Sequence, residues 1–262
     1  MGVIHKLGWS VARHLAKSMS PYHVRRMAEL FAEHGRPANE RQSYLCPNCG
    51  HEGPMEPFFG SGAMRFDAQC PKCHSRERHR FLRHWMETDA RGANFGSLLH
   101  FAPEPELQSA LKDRSETYRT ADITPGRADL VLNMEDIDLP DASVDTIMAN
   151  HVLEHVDDSK ALPEMYRILK PGGFAVLTVP VVTSWDTSYE DGTITGKTQR
   201  FIHFGQEDHV RYFGRDIENR IRAAGFDLDV ITSDGATSAK YALIPGDTIY
   251  VATHPQVAAK PN

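Results

Sequence analysis

Four cysteines supply the clearest chemistry in the sequence. Cys46 and Cys49 form one C-x-x-C pair, Cys70 and Cys73 form a second, and 20 residues separate the two pairs. Two thiolates on each of two tight turns can complete a tetrahedral zinc site with four sulfur ligands. A redox dithiol or unligated core cysteines are the alternatives, which this paired spacing disfavours. We therefore predict a structural zinc ribbon over residues 41–80, whose closed coordination leaves no position for catalysis.

A cationic cluster follows the second cysteine pair. The stretch 75–80 reads SRERHR and contains Arg76, Arg78 and Arg80. Guanidinium groups bind phosphate bidentately, so the three arginines could hold a phosphate or grip RNA. Alternatively, the stretch begins a helix whose charges form salt bridges with the next domain. The sequence leaves both interpretations open.

A histidine motif invites a third chemistry. His151-Val-Leu-Glu154-His155 matches the H-x-x-E-H pattern of certain zinc proteases. Those proteases carry the motif within a helix and add a distant third ligand. Here the motif directly follows a predicted strand, so we do not favour a protease site.

Alternating strands and helices must position the residues from 97 onward. The predicted strands are 97–102, 118–122, 130–133, 144–150, 174–181, 228–232 and 248–253, and the predicted helices are 104–112, 158–170 and 216–224. A further helix should lead out of the ribbon near Phe81–Trp85, and Pro171-Gly172-Gly173 should end the helix 158–170. This alternation predicts an α/β fold with a doubly wound, mostly parallel sheet.

Ligands of such sheets bind beyond the carboxyl ends of the strands, near the point where the strand order reverses. Asp122 ends the second predicted strand, where its carboxylate could accept hydrogen bonds from ribose hydroxyls. Asn133 could read an adenine amine, and Met134 could pack on the ring. The ordinary alternatives are a turn aspartate, a solvated loop residue and a core methionine.

Two stretches carry a resemblance to a known family. NMEDIDLPDASVDTIMANHVLEHVDD, with ALPEMYRILKPGGFAVLTVPV after it, resembles class I S-adenosylmethionine-dependent methyltransferases of the small-molecule type (type 11-like), over roughly residues 97–254. The later stretch FGQEDHVRYFGRDIENRIRAAGF is similar to a subgroup that also carries an N-terminal four-cysteine ribbon. The resemblance implies seven strands, of which the last is antiparallel, and S-adenosylmethionine as the cofactor.

The loop after the first strand departs from the family pattern D-x-G-x-G-x-G. His100 replaces the acid, and Ala102, Glu104 and Glu106 replace the three glycines that let backbone approach the cofactor closely. Either Glu104 pairs with the methionine ammonium of the cofactor, or cofactor binding is lost and the domain is a scaffold. We favour the first, and the expected cofactor-binding residues are Ala102, Glu104, Asp122, Asn133, Met134 and Asn150.

The methyl acceptor should lie among polar residues that follow the later strands. We predict His209 as a general base because imidazole titrates near neutral pH. Arg211 should anchor an anionic group, and His151 should contact the acceptor. The polar segment 184–205 suits a mobile lid over the acceptor.

Composition limits the remaining choices. The net charge of −6 gives no support to nucleic-acid binding, which depends on Lys and Arg, and no apolar run approaches the roughly 20 residues of a membrane span. Charged residues interrupt the first 19 positions, so we expect no signal peptide and a cytoplasmic protein. The expected domains are a helical segment 1–40, the ribbon 41–80 and a methyltransferase domain 81–262.

Three functional classes stay open on the sequence alone. The favoured one is a methyltransferase acting on a small molecule, such as a sugar or a secondary-metabolite intermediate. The second is an RNA methyltransferase in which the ribbon and Arg76–Arg80 grip the RNA. The third is a scaffold that has lost cofactor binding. The acidic balance of the chain argues against the second.

Overall fold

The computed structural model describes residue 32, residues 34–59 and residues 64–256. Its longer strands are β3 (Glu56–Phe59), β4 (Met64–Gln69), β5 (Ser97–Phe101), β6 (Thr117–Asp122), β8 (Val144–Asn150), β9 (Leu169–Thr178), β12 (Asp227–Thr232) and β13 (Thr248–Thr253). The two-residue strands are β1 (Tyr44–Leu45), β2 (Glu52–Gly53), β7 (Leu130–Val131), β10 (Tyr189–Glu190) and β11 (Arg211–Tyr212). The helices are α1 (Glu77–Thr88), α2 (Pro105–Lys112), α3 (Asp158–Ile168), α4 (Lys197–Phe204), α5 (Ile217–Ala223) and α6 (Gly235–Tyr241).

Seven of these strands form one sheet in the order β12-β13-β9-β8-β5-β6-β7. Strand β13 runs antiparallel to both of its neighbours, and the other pairs in the sheet are parallel. Successive strands proceed from β5 outward to β7, and the chain then returns to place β8 on the other side of β5. This confirms the predicted doubly wound, mostly parallel α/β fold of seven strands with a final antiparallel strand.

Helices cover both faces of this sheet and bury its apolar side chains. On one face α3 and α5 contribute Met165 and Ile217 to the larger hydrophobic core. On the other face α1 and α2 contribute Trp85 and Leu107 to a second core. The near-continuous burial along β8 and the centre of β9 is what a parallel strand covered on both faces requires.

The cysteine segment folds beside the sheet as two small antiparallel pairs, β1 with β2 and β3 with β4. A small cluster around Cys46, Met55 and Cys70 forms its interior, together with Ala242 from the end of α6. Most of the predicted helical segment 1–40 lies outside the described residues.

Two predicted boundaries shift in the structure. Helix α1 begins at Glu77 instead of near Phe81, so it runs across position 80, which we expected to separate the ribbon from the larger domain. Helix α3 ends at Ile168, two residues early, and β9 begins at once instead of at Phe174. The residue before a proline is disfavoured in the helical conformation, and Lys170 precedes Pro171, so the chain extends sooner than periodicity suggested.

Candidate cofactor and acceptor site

Strands β5, β6, β8 and β9 end at one edge of the sheet. Their last residues are Phe101, Asp122, Asn150 and Thr178. Strand order reverses between β5 and β8, which are hydrogen-bonded neighbours. Ligands of doubly wound sheets bind outside this edge, at this reversal. The candidate site is therefore the carboxyl edge on either side of β5.

In the loop after β5, the first position where the family pattern has glycine has a left-handed backbone conformation. Ala102 has φ +46°, in the left-handed region, and its side chain is exposed. An L-residue there carries strain of roughly 1–2 kcal/mol. The Ala102 N–H donates to Ala121 O at 2.8 Å, which ties the turn to the neighbouring strand β6. Ala102 thus adopts a backbone conformation that glycine would favour, although it is not a glycine.

Glu104, at the next glycine position, lies in a buried ion-pair network. Arg78 Nη2 approaches Glu104 Oε1 to 2.6 Å, and His79 Nε2 donates to the same oxygen at 2.9 Å. Asn150 Nδ2 donates to Glu104 Oε2 at 3.1 Å. Burial acts to raise the pKa of the Glu104 carboxyl, but the hydrogen bond from His79 and the charge of Arg78 outweigh it and hold the pKa well below its usual range. The carboxylate is ionised and bonded on both oxygens.

This network links helix α1, which follows the cysteine segment, to the carboxyl edge of the sheet. Arg78 and His79 belong to α1, which leads directly out of the cysteine segment. Only 8% of Glu104 is exposed, and Asn150 is buried beside it. Glu104 and Asn150 therefore meet as predicted at the edge, but the side chain of Glu104 points to α1. Its pairing with a cofactor ammonium stays a prediction.

Asp122 presents a contrasting acid at the end of β6. Its Oδ1 accepts one hydrogen bond, from the Thr124 N–H at 2.7 Å, and the rest of the side chain is half-exposed. The next residue, Ile123, is an apolar side chain with 65% exposure. An exposed isoleucine beside a free carboxylate suits a ligand with hydroxyls and a flat apolar ring. Sequence reasoning missed Ile123, whose signal was an apolar residue directly after a strand-end acid.

Asn133 and Met134 behave differently from one another. Asn133 is exposed, and its Oδ1 accepts from the Glu135 N–H at 3.1 Å, so the amide nitrogen faces outward. Met134 is only 3% exposed and belongs to the larger hydrophobic core. The structure thus gives Met134 the core-packing role that was the ordinary alternative, while Asn133 lies where a ligand could reach it.

His100 occupies the position of the family's acid and is fully buried in β5. Its Nδ1 shares a hydrogen bond of 2.9 Å with Tyr118 Oη, and within the described residues its Nε2 has no partner. Burial lowers the pKa of His100 to about 4, because desolvation disfavours the charged ring. This imidazole is neutral at pH 7 and lies below the cofactor edge rather than in it.

The turn after β8 carries the histidine motif. Leu153–His155 is a short 3-10 turn, not an α-helix, and His151 enters it with φ +54°. The His151 Nδ1 and Glu154 Oε1 lie 3.1 Å apart in a hydrogen bond. The ring of His151 is thereby oriented and stays partly exposed at the edge. This is the predicted acceptor contact that the structure leaves most accessible.

His209, the predicted general base, is 3% exposed. Its Nδ1 donates to Phe204 O at 3.1 Å, and its ring meets that of His155 edge-on at 4.7 Å between centroids. Burial lowers the pKa of the His209 imidazole. The structure brings His209 beside the turn of His151–His155 but gives it no direct route to solvent, so its role as a base stays a prediction.

Arg211, the predicted anion anchor, is buried and engaged by its own chain. Its Nη1 donates to the carbonyl oxygens of Leu153 and Val156, its Nε donates to Glu190 Oε2 at 2.8 Å, and its Nη2 lies 3.1 Å from Asp158 Oδ1. Every guanidinium nitrogen has a partner. This geometry favours Arg211 as a clamp on the turn after β8 instead of the anion anchor we predicted.

The predicted lid, 184–205, has secondary structure of its own. Strand β10 pairs with β11, and α4 follows it. Its outer surface carries exposed apolar side chains, among them Trp185, Phe201 and Ile202. The segment 184–205, which we call the flap, thus has secondary structure and exposed apolar side chains, whereas the prediction was a polar segment suited to a mobile lid.

The four cysteines converge as the ribbon hypothesis requires. Their sulfur atoms all lie within 4.8 Å of one another, with Cys46 Sγ 3.6 Å from Cys73 Sγ and Cys49 Sγ 3.7 Å from Cys70 Sγ. Zn–S bonds of about 2.3 Å at tetrahedral angles place sulfurs roughly 3.8 Å apart. All four are free thiols. The donor set and its spacing therefore fit a zinc ion.

Buried Arg80 joins this cluster to the larger domain. Its guanidinium donates to the carbonyl oxygens of Ala68 and Ser75 in the cysteine segment and of Tyr241 and Ala242 at α6. With Arg78 bound to Glu104 and the Arg76 guanidinium over the ring of Phe58, all three arginines of the cationic cluster make contacts inside the chain. This supports the salt-bridging interpretation of the cluster over an exposed phosphate grip.

Comparison with protein families adds a separate observation. A family model described as "Methyltransferase domain" matches residues 96–177, the stretch from β5 to the end of β9. Residues 96–177 therefore resemble a methyltransferase domain over less than half of the chain. The match includes the loop after β5, Asp122, Asn133 and the turn after β8.

Individual proteins show more limited likeness. A protein of Mycolicibacterium smegmatis described as a probable S-adenosylmethionine-dependent methyltransferase is 39% identical over 49 residues, and this match covers 18% of the chain and 19% of that protein's length. A SAM-dependent methyltransferase structure from Archaeoglobus fulgidus aligns with a TM-score of 0.47 at 14% identity, covering 70% of this chain and 96% of the other. One from Mesorhizobium loti aligns with a TM-score of 0.45 at 11% identity, over 64% and 99%.

None of the helices in the part of the chain that the structure describes combines the length and apolar character needed to cross a bilayer.

Proposed function

We propose that the protein transfers the methyl group of S-adenosylmethionine to a small-molecule acceptor. The observation that carries the proposal is the open end of β6, where the free carboxylate of Asp122 and the exposed side chain of Ile123 lie beside the reversal of strand order, within residues 96–177. In this proposal Asp122 binds the ribose hydroxyls and Ile123 covers one face of the adenine. Asn133 reads the adenine edge.

Methyl transfer from a sulfonium does not require the protein to form a covalent bond with the substrate. The cofactor's sulfonium makes its methyl carbon electrophilic and departs as a neutral thioether. The protein has to align the acceptor with that carbon and take up a proton where the acceptor releases one. We assign the proton to His151, because Glu154 fixes its Nδ1 and leaves the other nitrogen for the acceptor. His209 is the alternative base, at a buried position.

The loop after β5 supports binding in spite of its missing glycines. Ala102 keeps the left-handed turn, and an alanine side chain is the smallest that could replace glycine there. The methionine end of the cofactor would then meet the backbone of residues 102–104 and the outer side of the Glu104 network. Backbone N–H groups near the start of α2 are suited to a carboxylate.

We further propose a structural zinc ion held by the thiolates of Cys46, Cys49, Cys70 and Cys73. The buried positive charge of Arg80 lies near the sulfur atoms and would offset part of the negative charge of a four-thiolate site. The ion would stabilise a segment with only a small apolar interior. Four free thiols suit a reducing compartment, so a cytoplasmic location is part of the proposal.

The zinc assignment is tested by cobalt substitution. The full chain, refolded with Co²⁺ in place of zinc, should show thiolate-to-cobalt charge-transfer absorption and the visible bands of a tetrahedral site. The Cys49→Ser variant should lose them in part, and an Asp113→Asn control should keep them. A colourless wild-type protein that is folded would contradict a four-thiolate metal site.

The catalytic proposal is tested with a methyl-labelled cofactor. The protein is incubated with labelled S-adenosylmethionine and, separately, with the small-molecule and RNA fractions of a cell extract. Label in the small-molecule fraction alone is the expected result, and an Asp122→Ala variant should abolish it. Label that enters RNA would overturn the small-molecule assignment. Absence of transfer to either fraction by protein that also fails to bind the cofactor would favour the scaffold alternative.

A further inference from the structure

Two buried acceptor atoms belong to a cluster formed by the turn after β8 and the segment that follows α4. Glu154 Oε2 and His209 Nε2 are both buried, and neither has a hydrogen-bond partner among the described residues. Each of Glu154, His155 and His209 offers one ligand atom, and these three atoms lie within 4.8 Å of one another. Buried polar atoms without partners are costly, so this arrangement calls for something that binds lone pairs.

The hydrogen bonding of His209 fixes which of its nitrogens carries a lone pair. Its Nδ1 lies 3.1 Å from the carbonyl oxygen of Phe204, which can only accept. The proton of the neutral ring is therefore on Nδ1, and Nε2 is an acceptor. A ring N–H donated to a backbone carbonyl, with the other nitrogen free, is the usual arrangement of a metal-binding histidine.

His155 has a carboxylate beside one nitrogen of its ring. Its Nδ1 lies 3.4 Å from Asp208 Oδ2, and this negative charge favours a proton on Nδ1 over one on Nε2. Its ring packs edge-on against that of His209. The two imidazoles and the Glu154 carboxylate thus offer ligand atoms within 4.8 Å of one another.

Glu154 completes the set. It is 1% exposed, and its Oε1 is held by His151 at 3.1 Å, which leaves Oε2 for the two histidines. A carboxylate and two lone pairs in a buried space repel one another unless a cation or an extra proton lies between them.

Hydrogen bonds to backbone carbonyl oxygens hold these residues in place without a bound ion. The Val210 N–H donates to Glu154 O at 2.9 Å, which joins the segment of His209 to the turn of Glu154. Arg211 donates to the carbonyl oxygens of Leu153 and Val156 on both sides of the turn. The ligand groups are therefore positioned by hydrogen bonds outside the site, which lowers the entropic cost of binding.

We propose that Glu154, His155 and His209 bind a divalent transition-metal ion, with Asp208 and His151 orienting the ligands. Two imidazoles and one carboxylate suit Zn²⁺, Mn²⁺, Fe²⁺, Co²⁺ or Ni²⁺ better than Mg²⁺ or Ca²⁺, which prefer oxygen ligands. Three protein ligands leave at least one coordination position of the ion for water. An oxygen of the acceptor could replace that water, a role that rests on the proposed methyl transfer, whereas the binding of the ion does not.

The test counts metal in the full chain. Purified protein is dialysed against micromolar Zn²⁺, and bound zinc is measured by inductively coupled plasma mass spectrometry. Wild type should retain about two zinc ions per chain, one at the cysteines and one here. Glu154→Gln and His209→Gln should each retain about one, while a His84→Gln control, which removes a histidine elsewhere, should retain two.

A variant at an exposed residue separates the loss of zinc binding from misfolding. Asp208 is 71% exposed, so Asp208→Asn should fold normally and weaken zinc binding at this site by about 10- to 100-fold in a calorimetric titration. Saturating zinc should also raise the Tm of wild type more than that of Glu154→Gln. Equal zinc content and equal affinity in wild type, Glu154→Gln and Asp208→Asn would overturn the proposal. Calorimetry with S-adenosylmethionine, performed on the same samples, reports on the proposed function independently of this outcome.

Discussion

The loop after β5 and the end of β6 are adjacent at the carboxyl edge, and their acids differ sharply. Glu104 is buried and bonded through both oxygens to Arg78, His79 and Asn150. Asp122 is half-exposed, and among the described residues its carboxylate accepts a hydrogen bond only from the Thr124 N–H. Two acids at equivalent strand ends therefore have different tasks. One docks the ribbon segment against the sheet, and the other is free for a ligand.

The largest expected effect comes from removing the docking acid. Glu104→Ala leaves the buried ring of His79 and the charge of Arg78 without their partner, and loss of one member of a buried ion pair costs about 3–5 kcal/mol of unfolding free energy. Urea unfolding monitored by circular dichroism measures it. The control Glu106→Ala, a more exposed acid in the first turn of α2, should stay within about 1 kcal/mol of wild type. Equal stability of both variants would contradict the docking role.

The buried imidazole of His100, in β5, should make the free energy of unfolding depend on pH in mild acid. Burial lowers the pKa of His100 to about 4, whereas an unfolded histidine titrates near 6.5. Its contribution is therefore fully present above about pH 6.5 and is lost as pH falls toward 4, to a total of about 3 kcal/mol. His100→Gln should flatten this part of the stability curve. Parallel pH profiles for wild type and variant would show that the ring is solvated.

The free acid should affect cofactor binding more than stability. Asp122→Ala removes hydrogen bonds from a charged acceptor to the proposed ribose, which are worth about 1.5–3 kcal/mol, or roughly 10- to 100-fold in Kd. Isothermal titration with S-adenosylmethionine measures the change. Glu116→Ala, near the opposite end of β6, is the matched control and should bind like wild type. Unchanged affinity in Asp122→Ala would remove Asp122 from the site.

The smallest effect is expected at the first position of the loop. Ala102 has φ +46°, so Ala102→Gly relieves strain but adds freedom to the unfolded chain. The two effects oppose each other, and the free energy of unfolding should change by less than about 1 kcal/mol. Cofactor affinity should stay equal or rise, because the backbone keeps its path and loses a methyl group. A fall in affinity would show that the loop does not approach the cofactor.

Much of the architecture could be predicted from the sequence because its signals are local. The apolar run that begins at Phe174 indicated a buried parallel strand, and the spacing of the four cysteines indicated their convergence. Boundaries were less predictable where two local rules compete, as at Lys170, where helical periodicity continues but the following proline favours extension.

The partners of the site residues could not be predicted, because they come from distant parts of the chain. Nothing near Glu104 in sequence indicates that Arg78 and His79 lie against it. In the same way, Arg211 was predicted as an anion anchor from its charge alone, whereas the fold surrounds it with the carbonyl oxygens of Leu153 and Val156. Residue type predicts which interactions are possible, and tertiary packing decides which of them form.

The same limit applies to the two clusters of potential metal ligands. The cysteine cluster is visible as a spacing in one short segment. The cluster of Glu154, His155 and His209 joins a turn after β8 to a residue beyond the flap, and its motif resembled a protease site that the 3-10 turn does not support. Its defining property, two buried lone-pair atoms without partners, exists only in the folded chain.

Calorimetric titration of the folded, metal-loaded full chain with S-adenosylmethionine tests the central claim most directly. The account predicts one cofactor per chain, with a Kd between about micromolar and millimolar, and binding weakened roughly 10- to 100-fold in Asp122→Ala but not in Glu116→Ala. Absence of binding heat at millimolar cofactor, in protein whose unfolding transition is intact, would contradict the claim that this carboxyl edge is a cofactor site.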